Sequence, residues 1–199
     1  MGLVKRAIGQ AWLVLILAFG FGGALAGVEM SLKDRIAANR LAKTLDQVPD
    51  VVPEATQAGE AIRVAERTAY PALNDAGELV GWVLSAGGQG FADRIQVLVG
   101  LDPAAETITG IYVLDQKETP GLGNKIVEAD WRDQFRGKPA DEPLEVIKQG
   151  DPAANEIMSI SGATISSESV ADIINAAVRA AGSKLATRAQ QRTGGNHGG

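Results

Sequence analysis

Two short segments of this sequence combine residue types that could hold a phosphorylated ligand. The first is Ser159-Ile160-Ser161-Gly162-Ala163-Thr164-Ile165-Ser166-Ser167, just ahead of an apolar periodic stretch. Small residues let a backbone turn tightly and come close to a ligand. A helix starting there offers free N–H groups and the positive end of its dipole, which together favour a phosphate. On local physics alone the same hydroxyls are ordinary helix caps. The second segment is Gln116-Lys117-Glu118-Thr119-Pro120-Gly121-Leu122-Gly123-Asn124-Lys125. It lies between an expected strand and an expected helix, and read alone it is a tight turn.

The missing residue types narrow the chemistry further. With no Cys in 199 residues, the chain itself holds no iron–sulfur cluster, thiolate zinc site, disulfide or cysteine nucleophile. Cysteine absence also suits an oxidising compartment. The single His is His197, inside the Gly-rich run 194–199, a composition expected to be disordered. A hydrolase using Ser161 or Thr164 as nucleophile would lack a positioned His and would need a lysine base. No metal site and no catalytic side chain are expected, and any redox chemistry must come from an organic cofactor. A net charge of -5 and a pI near 5.0, with no Lys/Arg stripe, argue against nucleic acid as a partner.

The elements that would position these segments can be read from hydrophobic patterning. Between Arg6 and Glu29 lie 22 uncharged residues, enough for a helix crossing a bilayer, which takes ~20. Lys5 and Arg6 ahead of it place the N-terminus in the cytoplasm by the positive-inside rule. A cleaved signal peptide is the competing reading, since Ala24-Leu25-Ala26 has the small-x-small form of a cleavage site. Residues 29–60 read as a helical stalk and linker, stopped by Pro49 and Pro53. From 61 the pattern turns to strands. Ile62–Arg67 alternates, Glu78–Leu84 follows an Asn74–Gly77 turn, and a Gly87–Gly90 loop leads to Arg94–Leu101. Asp102-Pro103 then turns the chain into Thr107–Leu114. This is an antiparallel meander. A helix over Asn124–Phe135 would point Ile126, Trp131 and Phe135 at the core, and Leu144–Ile147 is a further strand. Val170, Ile173, Ile174, Ala177, Val178 and Ala181 mark an amphipathic helix closed by Gly182. The expected fold class is α+β: an N-terminal transmembrane helix (7–28) after a short cytoplasmic start (1–6), then a β-rich domain (61–182) with flanking helices and a disordered tail (183–199).

Taken together and in this order, the two loops resemble those of the G subunits of the Rnf (or Rsx) electron-transport complexes. They are also similar to those of the C subunit of the sodium-pumping NADH:quinone reductase. The resemblance runs through the anchor, the β-rich domain, Glu118-Thr119-Pro120-Gly121-Leu122-Gly123, Ser161-Gly162-Ala163-Thr164 and the last helix. It implies an FMN joined through its phosphate to the Thr164 hydroxyl oxygen, with the Glu118–Gly123 loop beside the flavin. It further implies a flavin transferase for maturation, other membrane subunits as partners, and a place in the cell inner membrane with the C-terminal domain in the periplasm. The complex would exchange electrons between ferredoxin and NAD, coupled to ion translocation. Lys117 or Lys125 near the ring could stabilise a reduced, anionic flavin, unless both are solvated surface lysines. Two positions depart from the family pattern: Met158 stands where an Asp precedes the acceptor Thr, and Gln116 stands where His is frequent. A flavin-free tethered assembly domain is the alternative that Met158 favours.

Overall fold

In a computed structural model of the chain, residues 12, 14–28 and 44–195 are described. They divide into two units, one before and one after the Lys43/Thr44 junction.

In the first unit, residues 14–28 form a helix, α1, with Phe19, Phe21 and Leu25 exposed. Among the described residues, no helix is long and apolar enough to cross a membrane. The rest of the expected 7–28 span, residues 7–11 and 13, lies outside them, as do residues 29–43 of the expected stalk.

The second unit is built on one antiparallel sheet. Its strands are β1 (Gln57–Ala58), β2 (Ile62–Val64), β3 (Arg67–Leu73), β4 (Leu79–Gln89), β5 (Arg94–Leu101), β6 (Thr107–Asp115) and β7 (Lys138–Pro139). They pair in the order β1-β3-β4-β5-β6-β7, with β2 also on β3. The strands read from the sequence correspond to β2, β4, β5 and β6; of β3 they take in only Arg67. The sheet's turns are held by side chains that copy backbone acceptors: Asn74 Oδ1 takes the N–H groups of Ala76 (3.0 Å) and Glu78 (2.9 Å), and Asp102 Oδ1 those of Glu106 (2.7 Å) and Thr107 (3.2 Å).

Both faces of the sheet are covered, which is why β4 and β5 carry near-continuous apolar runs instead of clean alternation. On one face Trp82, Leu84, Ile95, Val97 and Val99 pack under Val170, Ile173, Ile174, Ala177 and Ala181 of a long helix. On the other, Tyr70, Ala72, Val83 and Leu98 pack under Val48, Val51, Val52 and Ala55, in and after a short helix α2 (Val48–Val51). Thr109 Oγ1 and an Arg136 guanidinium N–H reach the carbonyls of Val51 (2.5 Å) and Asp50 (2.9 Å). Residues 44–60 therefore belong to the folded domain and do not serve as a linker.

Four further local differences from the sequence reading have physical causes. Ile62–Arg67 is a hairpin rather than one strand, because Ala65 and Glu66 both take positive φ (48° and 62°), the conformation of a two-residue type I′ turn. The Gly87-Gly88 pair is strand, with β4 paired to β5 as far as Gln89. There a Cβ on Gly88 would lie 2.6 Å from Ile173 Cγ1, so the small residue admits the covering helix. The expected helix over Asn124–Phe135 is three pieces: a 3-10 turn Gly123–Val127, α3 (Ala129–Arg132) and a 3-10 turn Asp133–Phe135. Extended Glu128 (φ -67°, ψ 137°) separates the first two. Ile126, Trp131 and Phe135 are nonetheless buried as expected. A small parallel pair, β8 (Glu145–Ile147) with β9 (Glu156–Met158), precedes the last helix, α4, which runs from Thr164 to Gly195. It continues past Gly182 because Leu185 and Ala189 extend the buried stripe.

Candidate functional site

The two loops singled out in the sequence meet. Gly123 packs the end of the 116–125 loop against the start of α4: a Cβ there would lie 2.7 Å from Ser166 Oγ and 3.0 Å from Glu118 Cβ. Between them opens a cleft of about 560 Å³, lined by Phe91, Thr119, Leu122, Gly123 and residues 162–166. That volume falls in the ~300–1,000 Å³ range of small-molecule sites.

Helix α4 gives the cleft its polar end. Its first residue is the half-buried Thr164, and the first intrahelical bond is from Ser167 N–H to the Ala163 carbonyl (3.1 Å). The N–H groups of Thr164, Ile165 and Ser166 precede that bond and have no partner within the helix. The approach to the helix is fixed by Ser167, whose hydroxyl accepts from Ile160 N–H (3.1 Å) and donates to the Ala163 carbonyl (3.1 Å). Around the mouth stand three exposed apolar side chains, Phe91 (59 %), Ile165 (54 %) and Leu122 (44 %). The site thus joins an anion-favouring helix end to an apolar collar, an arrangement suited to a molecule with a phosphate and a flat aromatic ring.

The remaining expected site residues divide into two groups. Glu118 is buried behind the cleft wall, and its N–H bonds to Gln116 Oε1 (2.6 Å). Pro120, Gly121 and Ser161 are exposed and do not line the cleft. The two motif glycines serve different ends. Gly121 takes positive φ (76°) with nothing within 4 Å of a Cβ, whereas Gly123 is needed for close packing on Ser166 and Glu118. The lysines do not line the cleft either. Lys117 is exposed and pairs with Asp93 at 3.5 Å. The N–H of Arg94 (2.7 Å), aided by Lys117, holds the Asp93 carboxyl below the usual carboxylate range. Met158 ends β9, with its N–H on Gln134 Oε1 (2.9 Å) and its carbonyl accepting from Trp131 Nε1 (3.0 Å).

Sequence reasoning missed Phe91 and Ile165. Phe91 follows the Gly-rich end of β4, and the only local signal is a large aromatic residue in an otherwise small and polar turn. Ile165 sits inside the 159–167 segment, off the apolar stripe of α4.

Residues 90–179 match the model of the FMN-binding domain family. The matched span begins at the turn bearing Phe91 and takes in both loops and the first half of α4. Among curated relatives, the chain is similar to the G subunit of the Na(+)-translocating ferredoxin:NAD(+) oxidoreductase complex of Acetobacterium woodii. The two are 42% identical over 105 residues, 52% of this chain and 50% of that protein. It is also similar to the C subunit of the Na(+)-translocating NADH-quinone reductase of Pasteurella multocida, at 34% identity over 119 residues, 57% of this chain and 46% of that one. The chain spans about half the length of these relatives. The crystal structure of Shewanella oneidensis NqrC shares the fold, with a TM-score of 0.58 over 70% of this chain and 73% of that one at 18% identity.

Proposed function

We propose that this chain is a membrane-anchored electron-transfer subunit that carries FMN on Thr164 as a phosphoester. The observation that carries the reading is the meeting of two loops some forty residues apart at one cleft, which Thr164 lines at the start of α4. FMN, when bound, supplies one- or two-electron exchange. The chain's residues supply everything else. Thr164 Oγ1 provides the bond to phosphorus, its proton leaving with the group that the transferase displaces from an activated flavin phosphate. The N–H groups of Thr164, Ile165 and Ser166 face the phosphate charge. Phe91, Leu122 and Ile165 shield the ring from water, and Thr119 and Gly123 complete the wall.

We further assign the chain to a complex of the ferredoxin:NAD type coupled to ion translocation, with other membrane subunits as partners. The supports are the 42% identity to the A. woodii protein and the uncharged stretch 7–28. That stretch is read as a single-pass anchor in the inner membrane, with the domain on the periplasmic side. A C-type subunit of a sodium-pumping NADH:quinone reductase is the second reading, favoured by the P. multocida relative. Deleting the gene separates the two: loss of ferredoxin-linked NAD reduction in membranes supports the first, and loss of NADH-linked quinone reduction the second.

The test of attachment is Thr164→Val, which keeps the side-chain shape and removes the oxygen. Co-expressed with a flavin transferase, wild-type protein should gain the mass of FMN less one water and fluoresce in a denaturing gel. Thr164→Val should fold and do neither, and Thr164→Ser should retain part of the adduct. Ser161→Ala is the clean control, because Ser161 is exposed, whereas Ser166 and Ser167 are buried and hydrogen-bonded. Covalent flavin persisting in Thr164→Val would place the attachment elsewhere. A wild type without flavin would favour the flavin-free assembly domain.

A further inference from the structure

Among the described residues, Glu118 is the only charged side chain that is buried, at 4 % exposure. None of the ion pairs among them involves it. Burying a carboxylate without a countercharge costs several kcal/mol unless its oxygens are well bonded. Here they are bonded, and to two different segments. Oε1 accepts the N–H of Ala92 (3.0 Å) and, at longer range, that of Asp93 (3.5 Å), both in the turn that carries Phe91. Oε2 accepts the Ser166 hydroxyl (2.6 Å) in the first turn of α4, two residues from Thr164. The glycines around it are cut to fit: a Cβ on Gly90 would collide with Oε1, and one on Gly123 would lie 3.1 Å from Oε2. Ser166 and Gly123 both line the cleft, so the carboxylate sits one residue layer behind its wall.

Building on the FMN reading of Thr164, we propose that Glu118 is a positioning residue of the flavin site. Its buried carboxylate fastens the Phe91 turn and the start of α4 to the 116–123 loop. It also sets a negative charge behind the cleft wall that opposes uptake of an electron by the flavin. A hydrophobic residue could fill the space but could not bond both segments. A neutral amide could bond both without the charge. In Glu118→Gln the amide oxygen keeps the Ala92 N–H and the amide nitrogen donates to Ser166 Oγ, which can accept as well as donate. That variant therefore separates fastening from charge.

The experiment uses the full chain, co-expressed with a flavin transferase, as wild type, Glu118→Gln, Glu118→Ala and Ser166→Ala. Each is also made in the Thr164→Val background. Glu118→Gln should carry covalent flavin at the wild-type level. Its midpoint potential should be more positive by about 59 mV or more, a tenfold change in a one-electron equilibrium. Hydrogen exchange, read on the flavin-free Thr164→Val background, should be unchanged in Glu118→Gln. In Glu118→Ala it should rise about tenfold at residues 90–93 and 167–170, and in Ser166→Ala only at 167–170. An unchanged potential in Glu118→Gln overturns the electrostatic role. Unchanged exchange in Glu118→Ala and Ser166→Ala overturns the fastening role. A wild type that acquires no flavin overturns the Thr164 reading, and the electrostatic role with it. The exchange data on the flavin-free background still decide the fastening role.

Discussion

Gly121 and Gly123 stand two residues apart in one motif, and the structure demands glycine at each for a different reason. A Cβ on Gly123 would lie 2.7 Å from Ser166 Oγ, 3.0 Å from Glu118 Cβ and 3.1 Å from Glu118 Oε2. None of these atoms is the loose end of a surface side chain, since Ser166 and Glu118 are buried and bonded to each other. Gly123→Ala must therefore push α4 from the motif loop, an overpacking expected to cost about 1–3 kcal/mol. For a domain of this size that corresponds to a fall in Tm of roughly 2–12 °C. Gly121 has no atom within 4 Å of a Cβ but holds φ at 76°, so Gly121→Ala should cost about 1–2 kcal/mol through backbone strain alone. Asn tolerates that conformation, so Gly121→Asn should recover most of the loss, while Gly123→Asn should be worse than Gly123→Ala. Urea unfolding followed by the fluorescence of buried Trp82 and Trp131 measures all four variants. Wild-type stability in Gly123→Ala, or rescue by Asn equal at both positions, would refute the reasoning.

Two more predictions follow from the helices. Leu185 is fully buried, so Leu185→Ala should lose about 2–5 kcal/mol in the same unfolding assay. A loss below about 0.5 kcal/mol, the level of a neutral surface change, would mean that α4 beyond Gly182 is not part of the core. For the anchor, alkaline phosphatase fused after Gly195 should be active in cells. An inactive fusion, with a cytoplasmic reporter active at the same point, would reverse the proposed orientation.

Much of the fold was legible because short-range patterning carried it. The β5 bounds, Arg94–Leu101, match the sequence reading, and those of β6 do within a residue, since turn residues flank runs of β-branched and apolar side chains. The apolar spacing of α4 from Val170 to Ala181 was equally plain. What escaped was whatever depended on a distant partner. Val48, Val51 and Val52 looked like part of a linker, because nothing local reveals that Tyr70 and Leu98 wait to cover them. Ala65 and Glu66 gave no turn signal, because neither is a residue that ordinarily adopts positive φ. Leu185 stood three residues past a glycine that reads as a helix stop, yet burial against the sheet outweighs the ~1 kcal/mol that Gly costs inside a helix.

The candidate site divides along the same line. The sequence by itself determined the chemistry on offer: no thiol, one His in the terminal run, and hydroxyls and glycines in two loops suited to holding a phosphorylated cofactor. Only the tertiary structure decided that the loops share a cleft, that Phe91 and Ile165 stand at its mouth, and that Glu118 lies behind the wall instead of lining the cleft. Residue types set which bonds can form. Which atoms come within bonding distance is set by how α4 packs on the sheet, an interaction spread over the whole chain that no single segment encodes.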